Sequence, residues 1–303
     1  MTESRDVVRR STVGRRVAPI LVGVGERAGS THAVCWAARE AALRRRPLRL
    51  VHARTERFAS VLASGMFVPP PLCPAPDRAA PVIDIAVELA RSVDPAIEIT
   101  TCTRTASPAH LLVSQGYVAP MLVLGNSGAS VFEDVLAGSI CGTVVAQAPC
   151  PVVAVSRRAV WPDAPIVVGI TDADTAVHAI EFGFELADRR CVPLTLHLAG
   201  RGLRHARRLS AAIGRVTSAR GNWHRRYPRV AVTWQESWGD PVHALGRAAG
   251  EAQLLVVGAP RCGPTVGLVT RSVGHALLRT PPCPLAVIPP NWLPTPLEAD
   301  GTR

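Results

Sequence analysis

The 303-residue sequence contains no lysine, so all 34 of its Lys or Arg residues are arginine. Chemistry that needs an amine is therefore excluded, including Schiff bases, amine nucleophiles and the P-loop lysine. Aromatic residues make up only 4% of the chain. No apolar run approaches the roughly 18 uninterrupted residues of a membrane-spanning helix. We therefore expect a soluble protein that does not interact with a membrane.

The eight cysteines form no C-x-x-C pair, and most lie among apolar or small residues, as buried reduced thiols do. We expect a cytoplasmic protein without a metal site. Residues 1–17 hold five arginines but no apolar segment typical of a secretory signal, which indicates a flexible basic arm. The formal charge of +11 favours acidic partners. The arginines are dispersed, however, so nucleic acid is not the favoured partner.

The chain contains an internal repeat, and its length suits two domains. The apolar run Ile20–Val24 returns as Ile166–Ile170, and each is followed by a helical pattern, at Ala33–Leu43 and at Ala176–Ala187. The next strands each carry a histidine near their ends. These histidines, His52 and His197, lie 145 residues apart, and we interpret them as equivalent structural residues.

Later segments of the two copies match at a constant offset of 133 residues, as Gly125 and Gly258 illustrate. Ser107 and Asp240 each precede a helix that opens with proline. A Pro-Cys-Pro-apolar strand also ends both copies. A deletion of about a dozen residues in the second copy, after its second strand, accounts for the change of offset.

Each copy alternates apolar strands with helices, a pattern typical of a parallel sheet covered on both faces. We predict an α/β protein of two tandem, doubly wound parallel-sheet domains that form a pseudo-dimer. The strands at 152–155 and 285–288 would be sheet edges, and we expect them to pair within the chain or in a homodimer. The predicted parts are an arm at 1–17, domain 1 at 18–156, a linker at 157–163, domain 2 at 164–290 and a tail at 291–303.

A glycine-rich segment follows the fourth strand of the first copy. It reads Gly125-Asn-Ser-Gly128, then nine residues, then Gly138-Ser139 before a helix that starts at Ile140. Glycines let main-chain amides approach an anion, and a helix N-terminus attracts phosphate. The same segment also fits a plain strand-to-helix turn with a serine N-cap.

Together, the Val-Gly-Val strand, the Leu-Val-His strand, the G-x2-G-x9-G-S segment and the Ala-Pro-Cys-Pro-Val-Val strand resemble the universal stress protein family, in its tandem actinobacterial form. The resemblance covers residues 18–156 and 164–290. It implies a Rossmann-like fold of the adenine nucleotide alpha hydrolase type and a stress-response regulator that binds ATP without robust catalysis. The implied ligand contacts are Gly125, Gly128, Gly138, Ser139 and Ile140 for phosphates, and Val24, Gly25 and Ala53 for adenine and ribose.

The sequence departs from the family pattern at several of these positions. Gly25 stands where ATP-binding members carry aspartate, and an unpaired ligand group there would cost about 1–3 kcal/mol. Glu133 and Asp134 lie inside the loop and oppose a triphosphate unless Mg²⁺ bridges them. In the second copy Arg261 and Arg271 replace loop glycines, so domain 2 is expected to bind no nucleotide, although the two arginines could instead clasp a phosphate directly.

Other enzyme classes find less support. The segment Gly23 to Ala28 fits the G-x-G-x-x-A dinucleotide pattern, but Arg54 follows the second strand where an acidic residue belongs. The sequence contains no G-x-S-x-G elbow of the kind that serine hydrolases use, so no catalytic residue is predicted.

A second function stays open beside the ATP-dependent regulator. It is a nucleotide-free interaction module that binds a protein or nucleic acid through an arginine-rich surface. Three tryptophans near arginines could stack on bases, but we expect them to pack the edge of domain 2. They are Trp223, Trp234 and Trp238. In either case the regulatory protein partner is unknown.

Overall fold

The described part of the chain folds around a ten-stranded sheet. The computed structural model describes residues 17–26, 29–54, 79–126, 140–157, 161–200, 223, 225–259, 273–279 and 281–292. Most of the predicted basic arm and tail, and the loop that holds Gly128, Gly138 and Ser139, lie outside the described residues. Below, the first half of the chain means residues 17–157 and the second half means residues 161–292.

The first half alternates strands and helices in the predicted order. Its elements are β1 Ile20–Gly23, α1 Gly29–Leu43, β2 Leu48–Arg54, α2 Ala79–Val93, β3 Ile99–Thr105, α3 Pro108–Gly116, β4 Leu122–Gly125, α4 Ile140–Gln147 and β5 Val152–Val155. The helix predicted to start at Ile140 and the helix that opens with Pro108 are both confirmed.

The second half repeats this order. Its elements are β6 Ile166–Ile170, α5 Ala173–Arg190, β7 Leu194–Gly200, β8 Val232–Trp238, α6 Pro241–Ala248, a 3-10 turn Ala249–Glu251, β9 Leu254–Gly258, α7 Val273–Arg279 and β10 Leu285–Ile288. Helices α1 and α5 begin three or four residues earlier than their apolar patterns predicted, because small and polar residues such as Gly29 and Ala173 form their first turns.

The strand order is β3-β2-β1-β4-β5-β10-β9-β6-β7-β8. Every neighbouring pair is parallel except β5 and β10 at the centre, which are antiparallel. Val153 pairs with Ala286, its own equivalent in the other half, so a pseudo-twofold axis passes through this pair. The fold is therefore the predicted doubly wound pseudo-dimer, and the two predicted edge strands pair with each other.

The sheet register corrects one predicted equivalence. Leu48 pairs with Ile20 in the first half, and Leu194 pairs with Ile166 in the second, so the second strands are offset by 146 residues rather than 145. A one-residue difference in register moves a side chain to the opposite face of a sheet.

The two histidines are therefore not equivalent. The 146-residue offset makes Leu198 the counterpart of His52 and Val51 the counterpart of His197. His52 shares the sheet face of Leu50, whereas His197 shares the face of Ala199, under the other helix layer. Their similar positions near strand ends are a coincidence of the sequence.

The two faces of the sheet are covered differently. One face carries α1, α2 and α5 over a single core that extends through both halves, from Ile20 to Trp292. The other face has two separate clusters, under α3 and α4 in the first half and under α6 and α7 in the second. The shared core makes the halves one packed body on the first face.

Buried charges join α1 to α5 near the pseudo-twofold axis. The Glu40 carboxylate is fully buried and accepts hydrogen bonds from Arg44, at 2.5 Å, and from Arg190, at 2.7 Å. Arg44 also donates to Glu185 at 2.8 Å, and Arg190 donates to Gln253 at 2.7 Å. These contacts tie the two halves together.

This cluster also sets the charge of its members. Burial alone would raise the pKa of Glu40, but the Arg190 and Arg44 guanidinium groups hold it at about 2. The carboxylate is therefore charged at neutral pH. Removing either partner from a buried ion pair of this kind is strongly destabilising.

Two of the three tryptophans that we expected to pack the edge of domain 2 pack against the core of the second half. Trp223 is buried, stacks on Phe184 and donates its ring N–H to Glu181. Trp234 packs half-buried against the same core, but Trp238 is 62% exposed, so the prediction was wrong for that residue.

The described cysteines Cys35, Cys102, Cys141, Cys150, Cys191 and Cys283 are all free thiols. Cys150 and Cys283 are buried as expected, and burial raises the pKa of Cys150 to about 12. Cys191 is exposed instead, because it ends α5 in a left-handed conformation. Within the described ranges, no cluster of His, Cys, Asp or Glu could hold a metal ion, and no helix is long and apolar enough to cross a membrane.

Candidate functional site at the carboxyl ends of the first-half strands

The strand order reverses between β1 and β4, since β2 and β3 continue on one side and β5 on the other. Ligands of open parallel sheets bind beyond the carboxyl ends of strands at such a switch point. Val24 and Gly25 follow β1 at this edge, and Gly125 ends β4. The structure thus brings three of the sequence-predicted site residues to the switch point.

Gly125 lies against the first turn of α1. A Cβ atom at this position would come closer than 3.0 Å to the Gly29 carbonyl group and to the Ser30 amide nitrogen. The glycine is therefore required by the approach of α1, whatever else binds there. The positive end of the α1 dipole consequently lies beside the end of β4.

The turn after β1 is held by polar contacts. The Gly25 amide donates to the Ser30 hydroxyl over 2.8 Å, across the start of α1. His52 is buried, and its Nδ1 donates to the Val24 carbonyl oxygen over 2.9 Å. The carbonyl can only accept, so the neutral ring carries its proton on Nδ1. These bonds fix the backbone where adenine and ribose were predicted to bind.

The far side of the switch point is formed by α4 and β5. Helix α4 starts at Ile140, whose side chain is 47% exposed. The Asn126 amide donates to the Val155 carbonyl over 2.8 Å, and its side chain donates to the Leu278 carbonyl of α7 over 2.7 Å. The start of the glycine loop is therefore anchored to both halves of the molecule.

The outer part of this edge is basic. Ala53 is half-buried near the end of β2 and pairs with Arg104 of β3. Arg104 and the neighbouring Arg54 are both exposed. Their charges favour an anionic ligand over a neutral one. From the sequence, Arg54 counted only against dinucleotide binding, and Arg104 was not among the predicted site residues.

The corresponding edge of the second half is built differently. Gly258 ends β9 against Thr175 of α5, in the same close contact that Gly125 makes with α1. Asp172 precedes α5, and the exposed Glu236 and Trp238 lie at the end of β8. Among the described residues, carboxylates thus stand at this edge where the first half has Arg54 and Arg104.

His197 forms a polar group on the inner face of this second edge. Its Nδ1 lies 3.1 Å from the Gln235 Oε1 atom, and its Nε2 lies 3.1 Å from the Ser237 Oγ atom. Burial lowers the pKa of His197, the Gln235 hydrogen bond opposes that change, and Arg247 adds to it. This arrangement was not predicted from the sequence, although the alternation of side chains along a strand places Gln235 and Ser237 on one face.

Comparisons with known proteins agree with this architecture. A family model described as the universal stress protein family matches residues 17–156. A universal stress protein of Mycobacterium tuberculosis, Rv2623, is 31% identical over 282 residues, which cover 86% of this chain and 94% of the relative. Another from Mycolicibacterium smegmatis is 29% identical over 299 residues, covering 90% and 97%.

Solved structures give the same fold. A universal stress protein from Archaeoglobus fulgidus aligns with 89% of this chain and 96% of its own, with a TM-score of 0.62 and 16% identity. A protein from Pseudomonas aeruginosa described as a putative universal stress protein covers 90% and 93%, with a TM-score of 0.60 and 17% identity.

Proposed function

Because this chain belongs to the universal stress protein family, we propose that its first half binds ATP at the switch point between β1 and β4 and acts as a cytoplasmic stress-response regulator. The observation that carries this proposal is the close contact of Gly125 with the first turn of α1. It brings one helix N-terminus to the end of β4, and α4 supplies a second one at Ile140. Two such termini suit the phosphates of a nucleotide.

We assign the contacts of each part of the nucleotide to the ends of β1, β2 and β4 and to the segments that follow them. The phosphates would bind the amides of Gly125, Gly128, Gly138, Ser139 and Ile140. The adenine and ribose would contact the backbone of Val24 and Gly25, which Ser30 and His52 hold in place, and the surface of Ala53. Arg54 and Arg104 add positive charge at the rim of the site.

The loop also carries two carboxylates that could hold Mg²⁺. Glu133 and Asp134 are carboxylates, which Mg²⁺ prefers, and the cation would relieve their repulsion of a triphosphate. The bound nucleotide would set the conformation that a partner protein recognises, without rapid turnover of ATP. Solved universal stress proteins that align with under half of this chain include one bound to cAMP and one, from Archaeoglobus fulgidus, bound to dAMP. Those ligands belong to those proteins.

The test is to denature freshly purified protein, identify released nucleotide by mass spectrometry, and titrate the nucleotide-free chain with Mg-ATP. We expect about one ATP per chain for the unchanged protein and none for Gly128→Glu, whose carboxylate would occupy the phosphate position. Arg261→Glu is the matched control, since it changes the equivalent position of the second half and should leave binding intact.

Two results would contradict the proposal. Absence of bound nucleotide together with no heat of Mg-ATP binding would mean that the glycine loop is only a turn. In that case a nucleotide-free interaction module, with Arg54 and Arg104 on its basic edge, becomes the better function. Loss of binding in Arg261→Glu but not in Gly128→Glu would instead move the site to the second half.

A further inference from the structure

His197, Gln235 and Ser237 form a hydrogen-bonded chain on one face of the second-half sheet. His197 lies on β7 opposite Gln235 of β8, and Ser237 is two residues further along β8 on the same face. The ring contacts both neighbours, with Gln235 Oε1 on Nδ1 and Ser237 Oγ on Nε2, each at 3.1 Å. A hydroxyl, an imidazole and an orienting acceptor are thus arranged in line.

The identity of the acceptor fixes the direction of these bonds. The Gln235 Oε1 atom can only accept, so the Nδ1 atom of neutral His197 carries the proton. The Nε2 atom then has a free lone pair and accepts the hydrogen bond of the Ser237 hydroxyl. This is the protonation state that a general base needs to activate a serine.

The surroundings keep His197 neutral and Ser237 reachable. The imidazole is only 5% exposed, and its desolvation together with Arg247 of α6 disfavours the charged ring. Ser237 is half-buried rather than enclosed. Ser237 therefore retains some access to solvent, while the base is largely shielded from water.

The serine also lies directly before a helix. Gly239 has a φ of +126°, which lets the chain turn sharply from β8 into α6 at Pro241. Helix α6 packs over β7 and β8 on the face that holds His197. The positive end of its dipole is therefore available to a negative charge that develops on a carbonyl oxygen near Ser237.

The first half lacks all three groups. The positions equivalent to His197, Gln235 and Ser237 hold Val51, Cys102 and Arg104 by strand register. The fold of each half does not require these hydrogen-bonded side chains, because the first half adopts the same fold without them. The three polar residues occur together in the second half alone.

We propose that Ser237 is a reactive nucleophile, with His197 as its general base and Gln235 as a positioning residue, and that it cleaves small carboxylic esters. The Oγ atom attacks the ester carbonyl carbon while its proton moves to His197 Nε2. The bond to the leaving oxygen then breaks, and that oxygen takes the proton from Nε2. Water, deprotonated by His197, then attacks the acyl carbonyl, the bond to Oγ breaks, and His197 returns the proton to Oγ as the acid leaves.

The first experiment treats the full chain with a fluorophosphonate probe and locates the label by peptide mass spectrometry. We expect label on Ser237, none in Ser237→Ala, and full labelling in Ser92→Ala, which changes an exposed serine elsewhere. Label on other serines at the same rate as on Ser237, or no label at all, would overturn the proposal.

Two variants then test the roles of the partners with p-nitrophenyl acetate. His197→Val copies the first half and should slow acylation by about 10²-fold, the lower limit for loss of a general base. Circular dichroism and thermal melting must show that this variant is folded. Folded His197→Val that acylates at the original rate would contradict the proposal.

Gln235→Glu separates positioning from a structural role. A carboxylate beside Nδ1 stabilises the imidazolium, so acylation should become several-fold faster and its pH profile should shift upward. The pH profile also depends on the charges around His197. Arg247 on α6 is the charged group that lowers its pKa, whereas its strand neighbours Gly169 of β6, Gln235 and Ser237 are uncharged. An unchanged rate and profile would contradict the assigned role. Each assay is also run on Gly128→Glu, which is expected to bind no ATP. The esterase result is then independent of whether the ATP proposal holds.

Discussion

The two halves of this protein share a backbone plan but differ in the polar residues placed on it. Both bring a glycine at the end of the fourth strand against the first turn of a helix, through Gly125 and Gly258. Both contribute one strand to the central antiparallel pair. The differences lie in the described residues at the carboxyl edges, which are arginines in the first half and carboxylates in the second, and at the axis between the halves.

The apolar packing follows the twofold repeat of the chain, whereas the buried charges do not. The apolar contacts repeat because each half must bury the same surfaces. The buried charges do not repeat: Arg44 and Arg190 are equivalent by the 146-residue offset, yet both bind the single carboxylate of Glu40. The counterpart of Glu40 is Leu186, which is fully buried. Pairing of two second halves would therefore leave two buried arginines without this acceptor.

The largest effect is expected from making α1 resemble α5 at this position. Glu40→Leu should reduce the free energy of unfolding by about 3–5 kcal/mol, because two buried guanidinium groups lose their shared acceptor. Urea denaturation followed by circular dichroism measures this loss. A reduction below about 1 kcal/mol would contradict the view that Glu40 joins the halves.

The control removes the arginines as well. A triple variant with Glu40→Leu, Arg44→Met and Arg190→Met removes all three charges, while Glu185 keeps Arg189 at 3.3 Å as its partner, and should recover most of the lost stability. If the triple variant is as unstable as the single one, the loss comes from packing instead.

The next effect tests the contact that the halves share. Gly125→Ala and Gly258→Ala should each destabilise the protein by about 1–3 kcal/mol, because the new methyl group overlaps the first turn of α1 or α5. Gly246→Ala is the matched control: nothing lies within 4 Å of a Cβ there, so this helix should gain about 0.5–1 kcal/mol. Differential scanning calorimetry compares all three, and a neutral Gly258→Ala would show that the halves are less alike than their register.

A smaller effect depends on pH. The pKa of His197 is lowered by folding, so the unfolded chain binds more protons than the folded chain below about pH 6.5, the usual value. Stability should therefore fall as the pH drops through this range. His197→Val should flatten the fall, whereas stability linked to Glu40 is lost only below about pH 4.5. Urea midpoints at pH 7.5, 6 and 5 test this, and equal slopes in both proteins would count against it.

The smallest effect concerns the contact across the halves beside the glycine loop. Asn126→Ala copies its counterpart, Ala259, and removes the hydrogen bond to the Leu278 carbonyl. We expect a loss of about 0.5–1.5 kcal/mol in urea denaturation. Ser156→Ala is the control, because its buried hydroxyl has no partner within the described part of the chain, so its removal should cost nothing. Equal losses in the two variants would rule out a specific role for the Asn126 bond.

Much of the architecture could be predicted because it depends on local pattern. Apolar runs such as Ile20–Val24 gave the parallel strands, and the constant offset of 133 residues gave the repeat. The proline at position 108 marked the start of α3, because proline fits the first turn of a helix. The nucleotide site that the resemblance in the glycine motif implies stays a prediction.

The sequence by itself determined the two α/β repeats, the family and the position of the glycine loop, since each follows from local periodicity or motif spacing. Only the tertiary structure decided that His52 and His197 face opposite sides of the sheet, because a shift of one residue in strand register is invisible in an approximate repeat. It alone also brought Glu40 to Arg190 and His197 to Ser237. Those contacts join residues 150 and 40 positions apart, on separate helices or strands, and packing of the whole sheet is what brings them together.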